Sequence, residues 1–236
     1  AQPKAEPDTM AKLAGKTFQE GLSQWRLKNY QQAGDLFSQM IKKYNGNENI
    51  PDAHLYLANC LAAQKKDAKF LQEIEQTIRL YSGTEISMLA SLMKIGHYRG
   101  KNDAAGFLDA WRDAIGGGPA PLYLLSPGEF HYYYTNVQSL RQYFAPDFRD
   151  EVIKLCNKPE LAEQALSVFA ATFKQSPDKL SPRWFWVHVY LLLAANKDAE
   201  AEAALKKYAD WWGADLRGAN LLWEYAEHMR TVRKKP

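Results

Sequence analysis

Phe18-Gln-Glu-Gly21-Leu-Ser-Gln-Trp25-Arg-Leu27-Lys-Asn-Tyr30-Gln-Gln-Ala33-Gly-Asp-Leu36-Phe37-Ser-Gln-Met40-Ile41-Lys-Lys-Tyr44 decides the fold of this 236-residue chain. Apolar residues recur at three- and four-residue spacing on both sides of the polar pair Lys28-Asn29, as in two amphipathic helices joined by a short turn. A small residue, Gly21, stands midway along the first helix, where it lets the paired helix approach closely. The second helix ends on Tyr44, and a loop follows. Neither helix can bury its apolar stripe alone, so units of this kind stack on their neighbours.

Downstream the plan returns. A second unit runs from Ala53-His-Leu55-Tyr-Leu57-Ala58-Asn-Cys60-Leu61 through a polar turn to Ile78-Arg-Leu80-Tyr81, with Ala58 as its small residue. A third opens on Leu89, Leu92 and Ile95, turns at Gly100-Lys-Asn-Asp-Ala104 and continues through Phe107, Leu108 and Trp111. A last one reads Trp184-Phe-Trp186-Val-His-Val189, turns at Asn196-Lys-Asp198 and continues through Ala201, Ala204, Leu205 and Tyr208. No segment shows the strict alternation between hairpin turns that strands require. The expected class is all-α.

These units resemble the tetratricopeptide repeat, a helix–turn–helix of about 34 residues. Gly21, Tyr30, Ala33 and Phe37 stand at the family's small, aromatic, small and aromatic positions, while Thr17, Asn45 and Ser82 depart from its pattern. The resemblance covers half to two-thirds of the chain. It implies a right-handed superhelix of antiparallel helix pairs, with degenerate repeats. The Tyr44-Asn-Gly-Asn and Leu80-Tyr81-Ser-Gly loops are similar to the repeat endings of bacterial envelope proteins, without their proline.

The expected organisation is a disordered lead-in (1–8) and an N-terminal repeat block (9–115). A Gly/Pro/aromatic-rich connecting segment (116–147) follows, opened by Gly116-Gly-Gly-Pro-Ala-Pro121. A C-terminal helical block with one further hairpin (148–232) and a basic tail (233–236) complete it. The opening Ala1-Gln-Pro-Lys-Ala-Glu-Pro7 resembles the end left by a signal peptidase, which implies a periplasmic or secreted protein. Trimming of a cytoplasmic chain would leave the same start.

The net charge of +3, from 30 basic and 27 acidic residues, is too small to argue for nucleic acid, where a basic face is expected. The longest apolar stretch, Trp184 to Ala195, is interrupted by His188 and falls short of the ~20 residues of a membrane span. Cys60 and Cys156 form no CxxC or Cys/His cluster, so no metal site is expected; buried free thiols are the reading, with one disulfide as the alternative in an exported chain.

No nucleophile elbow, phosphate-cradling loop or H-E-x-x-H occurs, so neither catalytic residues nor a cofactor is expected. Glu224 and His228 share a helix face and read as a surface hydrogen bond rather than a metal half-site. Glu129 is the one acid that a cleft enzyme would use.

Binding has more support. In the tetratricopeptide family the first helices of successive repeats line a groove, and the resemblance places Phe18, Leu22, Trp25 and Arg26 there. Leu55, Asn59 and Ala62 follow from the second unit, and Leu89, Met93 and His97 from the third. Trp and Arg are frequent interface anchors, and an Asn amide can hold a peptide backbone. The competing reading makes Phe18, Leu22, Leu55 and Trp25 helix–helix packing. A second candidate surface is Phe130-His-Tyr132-Tyr133-Tyr134, which suits peptides or sugar rings unless it folds over the core. Trp184, Trp186, Trp211 and Trp212 fall within helical stripes and are expected in the core. The leading functional expectation is a non-catalytic protein- or peptide-binding scaffold. A carbohydrate-binding accessory module using the Tyr and Trp clusters is the alternative.

Overall fold

A computed structural model describes residues 7–117, 148–174, 182–212 and 216–233. Residues 118–147, with Glu129, Tyr132 and Tyr133, lie outside the described part, as do 1–6 and 234–236. Among the described residues the chain is helical and contains no strand. The first helices are α1 (Pro7–Arg26), α2 (Tyr30–Lys43), α3 (Ile50–Ala63), α4 (Asp67–Leu80), α5 (Glu85–Gly100) and α6 (Ala104–Gly117). Then come α7 (Phe148–Leu155), α8 (Pro159–Val168), α9 (Ala170–Phe173), α10 (Pro182–Ala194), α11 (Asp198–Trp212) and α12 (Leu216–Thr231). Helix α1 opens on Pro7, so two residues of the expected lead-in belong to it. Proline fits there because its fixed φ suits the first helical turn and its missing N–H is not needed.

The hairpin turns are the same local structure four times over. Lys28, Lys65, Asn102 and Asn196 each sit in the left-handed region, at φ of 61°, 57°, 54° and 60°. In the first turn the N–H of Lys28 bonds to the carbonyl of Trp25, and that of Asn29 to the carbonyl of Gln24, both at 2.9 Å. The same pair of bonds closes the other three turns. This is the Schellman arrangement, which satisfies carbonyls that a helix end leaves without partners. The residue that closes each turn then starts the next helix, as where Phe70 N–H bonds to Lys66 O and Phe107 N–H to Asp103 O.

Three of these turns lie 37 residues apart, and the core repeats with them. Phe18, Leu55 and Leu92 are buried, and so are Ala33, Phe70 and Phe107 and again Phe37, Ile74 and Trp111. The loops between hairpins keep the same spacing. Asn47 N–H bonds to Tyr44 O and Thr84 N–H to Tyr81 O, each at 3.0 Å, with Gly46 and Gly83 at positive φ. Gly21 is required by packing: a Cβ there would stand 2.7 Å from the ring of Phe37, which is fully buried.

By compactness the chain forms two units, the first running to Lys94 and the second beginning at Ile95, within α5. Trp111 of α6 is buried and meets Phe169 edge-on at 5.7 Å, so α6 shares a core with later helices. In the second unit α10 is the central element. Trp184, Phe185, Trp186, Val187, Val189 and Leu191 are all buried, and α10 packs against α7, α8, α11 and α12. A helix that is apolar on nearly every side is accommodated only in such a position. Among the described residues no helix is long and apolar enough to cross a membrane.

One expectation is corrected here. Trp211 is 41% exposed at the rim of α11; it touches Phe185 and Tyr208 edge-on or tilted, and the Lys207 ammonium lies 4.6 Å from its ring centre. Arg233, in the expected basic tail, is fastened. Its guanidinium donates to the Leu193 carbonyl at the end of α10 and, at 3.0 Å, to the Asp198 carboxylate in the first turn of α11. Cys60 and Cys156 are both buried free thiols, and burial pushes each thiol pKa up to about 12.

Candidate partner-binding surface

Trp25 lies in the last turn of α1, and its indole Nε1 donates a 2.7 Å hydrogen bond to Oδ1 of Asn59 on α3. The bond links the first helices of two successive hairpins. Beneath it Tyr56 forms a hub: its ring stacks on Phe37 at 5.3 Å and meets Trp25 edge-on at 5.4 Å and Phe18 at 6.1 Å. Trp25 is half-buried, Arg26 beside it is exposed, and Asn59 is 6% exposed. The position equivalent to Trp25 in the second hairpin is Ala62, so a small residue follows the large one along this face.

Of the residues expected at the groove, Leu22 and Trp25 are half-buried, Arg26 is exposed and Asn59 is buried. The oxygen of the Asn59 amide is already engaged by Trp25, which leaves its NH2 group as the donor for any ligand. Phe18, Leu55 and Met93 belong to the core: Leu55 has no exposed surface, and Phe18 and Met93 are buried. Between the two readings of Phe18 and Leu55, burial decides for helix–helix packing. His97 falls in the second unit, half-buried with its ring edge-on to Tyr98 at 5.5 Å. Tyr132 and Tyr133 lie outside the described residues.

Sequence reading missed Tyr56. Its signal was present, since Tyr56 follows Leu55 and precedes Asn59 by three, but the contacts that make it a hub come from α1 and α2.

Among the described residues two histidine pairs are the nearest approach to reactive chemistry. His54 Nδ1 lies 2.6 Å from Glu73 Oε1, with the imidazole buried and edge-on to Tyr81 at 5.7 Å. In the second unit His188 Nδ1 is hydrogen-bonded to the Tyr208 hydroxyl at 2.5 Å and stacks on Phe173 at 4.2 Å. Burial, helped by Lys207, lowers the His188 pKa to about 4, and burial raises that of Tyr208 to about 12. His188 and Tyr208 are therefore both neutral at physiological pH and pack as a polar pair. His228 turns its ring onto Trp186 and Tyr190, at 5.8 and 5.4 Å, and burial followed by Arg233 lowers its pKa. Among the described residues no group of three or more His, Cys, Asp or Glu is placed to hold a metal ion.

No protein-family model matches the chain, and no curated protein matches it.

Proposed function

We propose that the chain is a non-catalytic, tetratricopeptide-like scaffold that binds a protein or peptide segment along the first-helix face of its N-terminal hairpins. The Trp25–Asn59 hydrogen bond carries this reading. It holds a large aromatic ring in one orientation, half-buried, beside an exposed guanidinium. A rigid Trp next to an Arg is the composition of an interface anchor, and fixing the ring beforehand lowers the entropy lost on binding. The 37-residue recurrence of turns and buried positions supports a repeat scaffold, and right-handed superhelical stacking of the hairpins belongs to the same proposal.

Site-specific photo-crosslinking in the native cell tests it. A crosslinking residue is placed at Leu22 or Arg26, with exposed Lys206 of α11 as the control. A discrete protein adduct at the first two positions and none at Lys206 supports the reading. Adducts equally abundant at all three overturn it.

Trp223, 67% exposed on α12, favours a second reading in which an open indole face stacks on a sugar ring. Retention on immobilised polysaccharide that is lost with Trp223→Ala, and kept with Trp25→Ala, would select that alternative.

A further inference from the structure

The second helices of the first unit form a cleft that the proposed partner surface does not use. Helices α2 and α4 are its walls, and Leu57 and Leu61 of α3 contribute to its floor. The cleft measures about 350 Å³, at the lower end of the ~300–1,000 Å³ typical of small-ligand pockets. That is too little for a docked helix, whose diameter alone is about 10 Å.

Gly34 keeps the floor open. A Cβ built there would meet Cys60 Cβ at 3.5 Å, Leu57 Cδ1 at 3.7 Å and Gln64 Nε2 at 3.8 Å, all ordinary contacts. Packing therefore does not demand glycine at 34 as it does at 21, although glycine weakens a helix interior relative to alanine.

The walls are graded in charge. Lys66 Nζ donates to Gln31 Oε1 at 2.9 Å and so fixes the register of the two walls at the N-terminal ends of α2 and α4. Lys69 lies next along α4, and the positive ends of two helix dipoles point the same way. Asp35 on α2 is one turn beyond Gln31, and Glu73 on α4 is one turn beyond Lys69. At 1.5 Å per residue the cationic and anionic groups stand roughly 6–10 Å apart along the cleft. Glu73 is held in place by His54, and Ser38 and Gln72 contribute a hydroxyl and an amide. No aromatic ring lines the cleft, which removes the usual platform for a sugar.

We propose that this cleft binds a short free peptide in its zwitterionic form. The carboxylate lies toward Lys66 and Lys69 and the ammonium toward Asp35 and Glu73, where Ser38 and Gln72 add a hydroxyl and an amide. Two to three extended residues span ~7–10 Å, which matches the separation of the charged groups.

The test is an NMR titration of the full chain with trialanine as the probe, and with trialanine acetylated and amidated at its ends. Saturable shifts at the Gln31 and Gln72 side-chain amides are expected with the free peptide, with a dissociation constant on the order of 1 mM or tighter. Blocking both ends removes both charged contacts and should weaken binding by about tenfold or more. Gly34→Leu should abolish it, with circular dichroism reporting whether that chain is folded. The double variant Asp35→Asn/Lys69→Gln, at two exposed positions, makes the same test without touching the floor. No saturable shift at millimolar probe, equal binding of the blocked peptide, or unchanged binding by the double variant would each overturn the proposal.

Discussion

The indole of Trp25 and the amide of Asn59, 34 residues apart in sequence, are joined by a single 2.7 Å hydrogen bond between the first helices of neighbouring hairpins. Trp25→Phe leaves the Asn59 oxygen almost enclosed and without its donor, a change that costs about 1–2 kcal/mol. In a double-mutant cycle with Asn59→Ala, urea unfolding should give a coupling of about 1 kcal/mol. A coupling near zero would mean that the bond contributes nothing to joining the hairpins.

Gly21 and Gly34 should respond to alanine with opposite signs. At 21 the new Cβ meets the enclosed Phe37 ring at 2.7 Å, so Gly21→Ala is expected to destabilise by about 1–3 kcal/mol despite its better helix propensity. At 34 the nearest atom is 3.5 Å away, and Gly34→Ala should stabilise by up to about 1 kcal/mol. Thermal melts of the two single variants decide it.

The left-handed turn residues lead to a third expectation. Lys65 holds φ at 57° with a Cβ that favours other conformations, at a cost of about 1 kcal/mol. Lys65→Gly should recover most of that, whereas Lys65→Val should lose at least as much again. Asn102 and Asn196, of a type that tolerates this region, should gain less from the same change to glycine. Midpoints of urea unfolding at constant slope provide the measurement.

His188 sets a pH dependence whose sign is fixed. Its pKa is about 4 in the folded chain against 6.5 unfolded, so the unfolded state takes up the proton first on acidification. Stability from this group is complete above pH 6.5 and declines as the pH falls toward 4, by roughly 2 kcal/mol between pH 7 and 4.5. His228, also lowered, acts in the same direction. The difference between the parent and His188→Gln chains isolates the effect, because other titrating groups are common to both. Equal losses in the two would remove His188 from the account.

The hairpins were readable because their signals are local. Small residues at 21 and 58, polar triplets at the turns and aromatics at 44 and 81 are all set within one unit, and the structure repeats them at 37-residue spacing. What escaped was non-local. Arg233 finds its acceptors 35 and 40 residues back, on the ends of two other helices. Trp211 lies on the same periodic stripe as Tyr208, yet it stands at the open end of α11, and periodicity alone does not separate a rim from a core. Asn59 was legible as a polar residue on the first-helix face, but not as one whose oxygen is occupied by a tryptophan from the preceding hairpin. The α2–α4 cleft needs two walls from different repeats, so no single stretch of sequence announces it.

The two enclosed thiols give each unit its own clock. Cys60 lies within the first unit and Cys156 within the second, both sealed and held far from the thiolate form. A thiol reagent therefore waits on local opening before it reacts, and the labelling rate at each cysteine times the breathing of its own half. The unmodified chain thus carries two independent stopwatches, and mass spectrometry of its peptides can read both from one reaction.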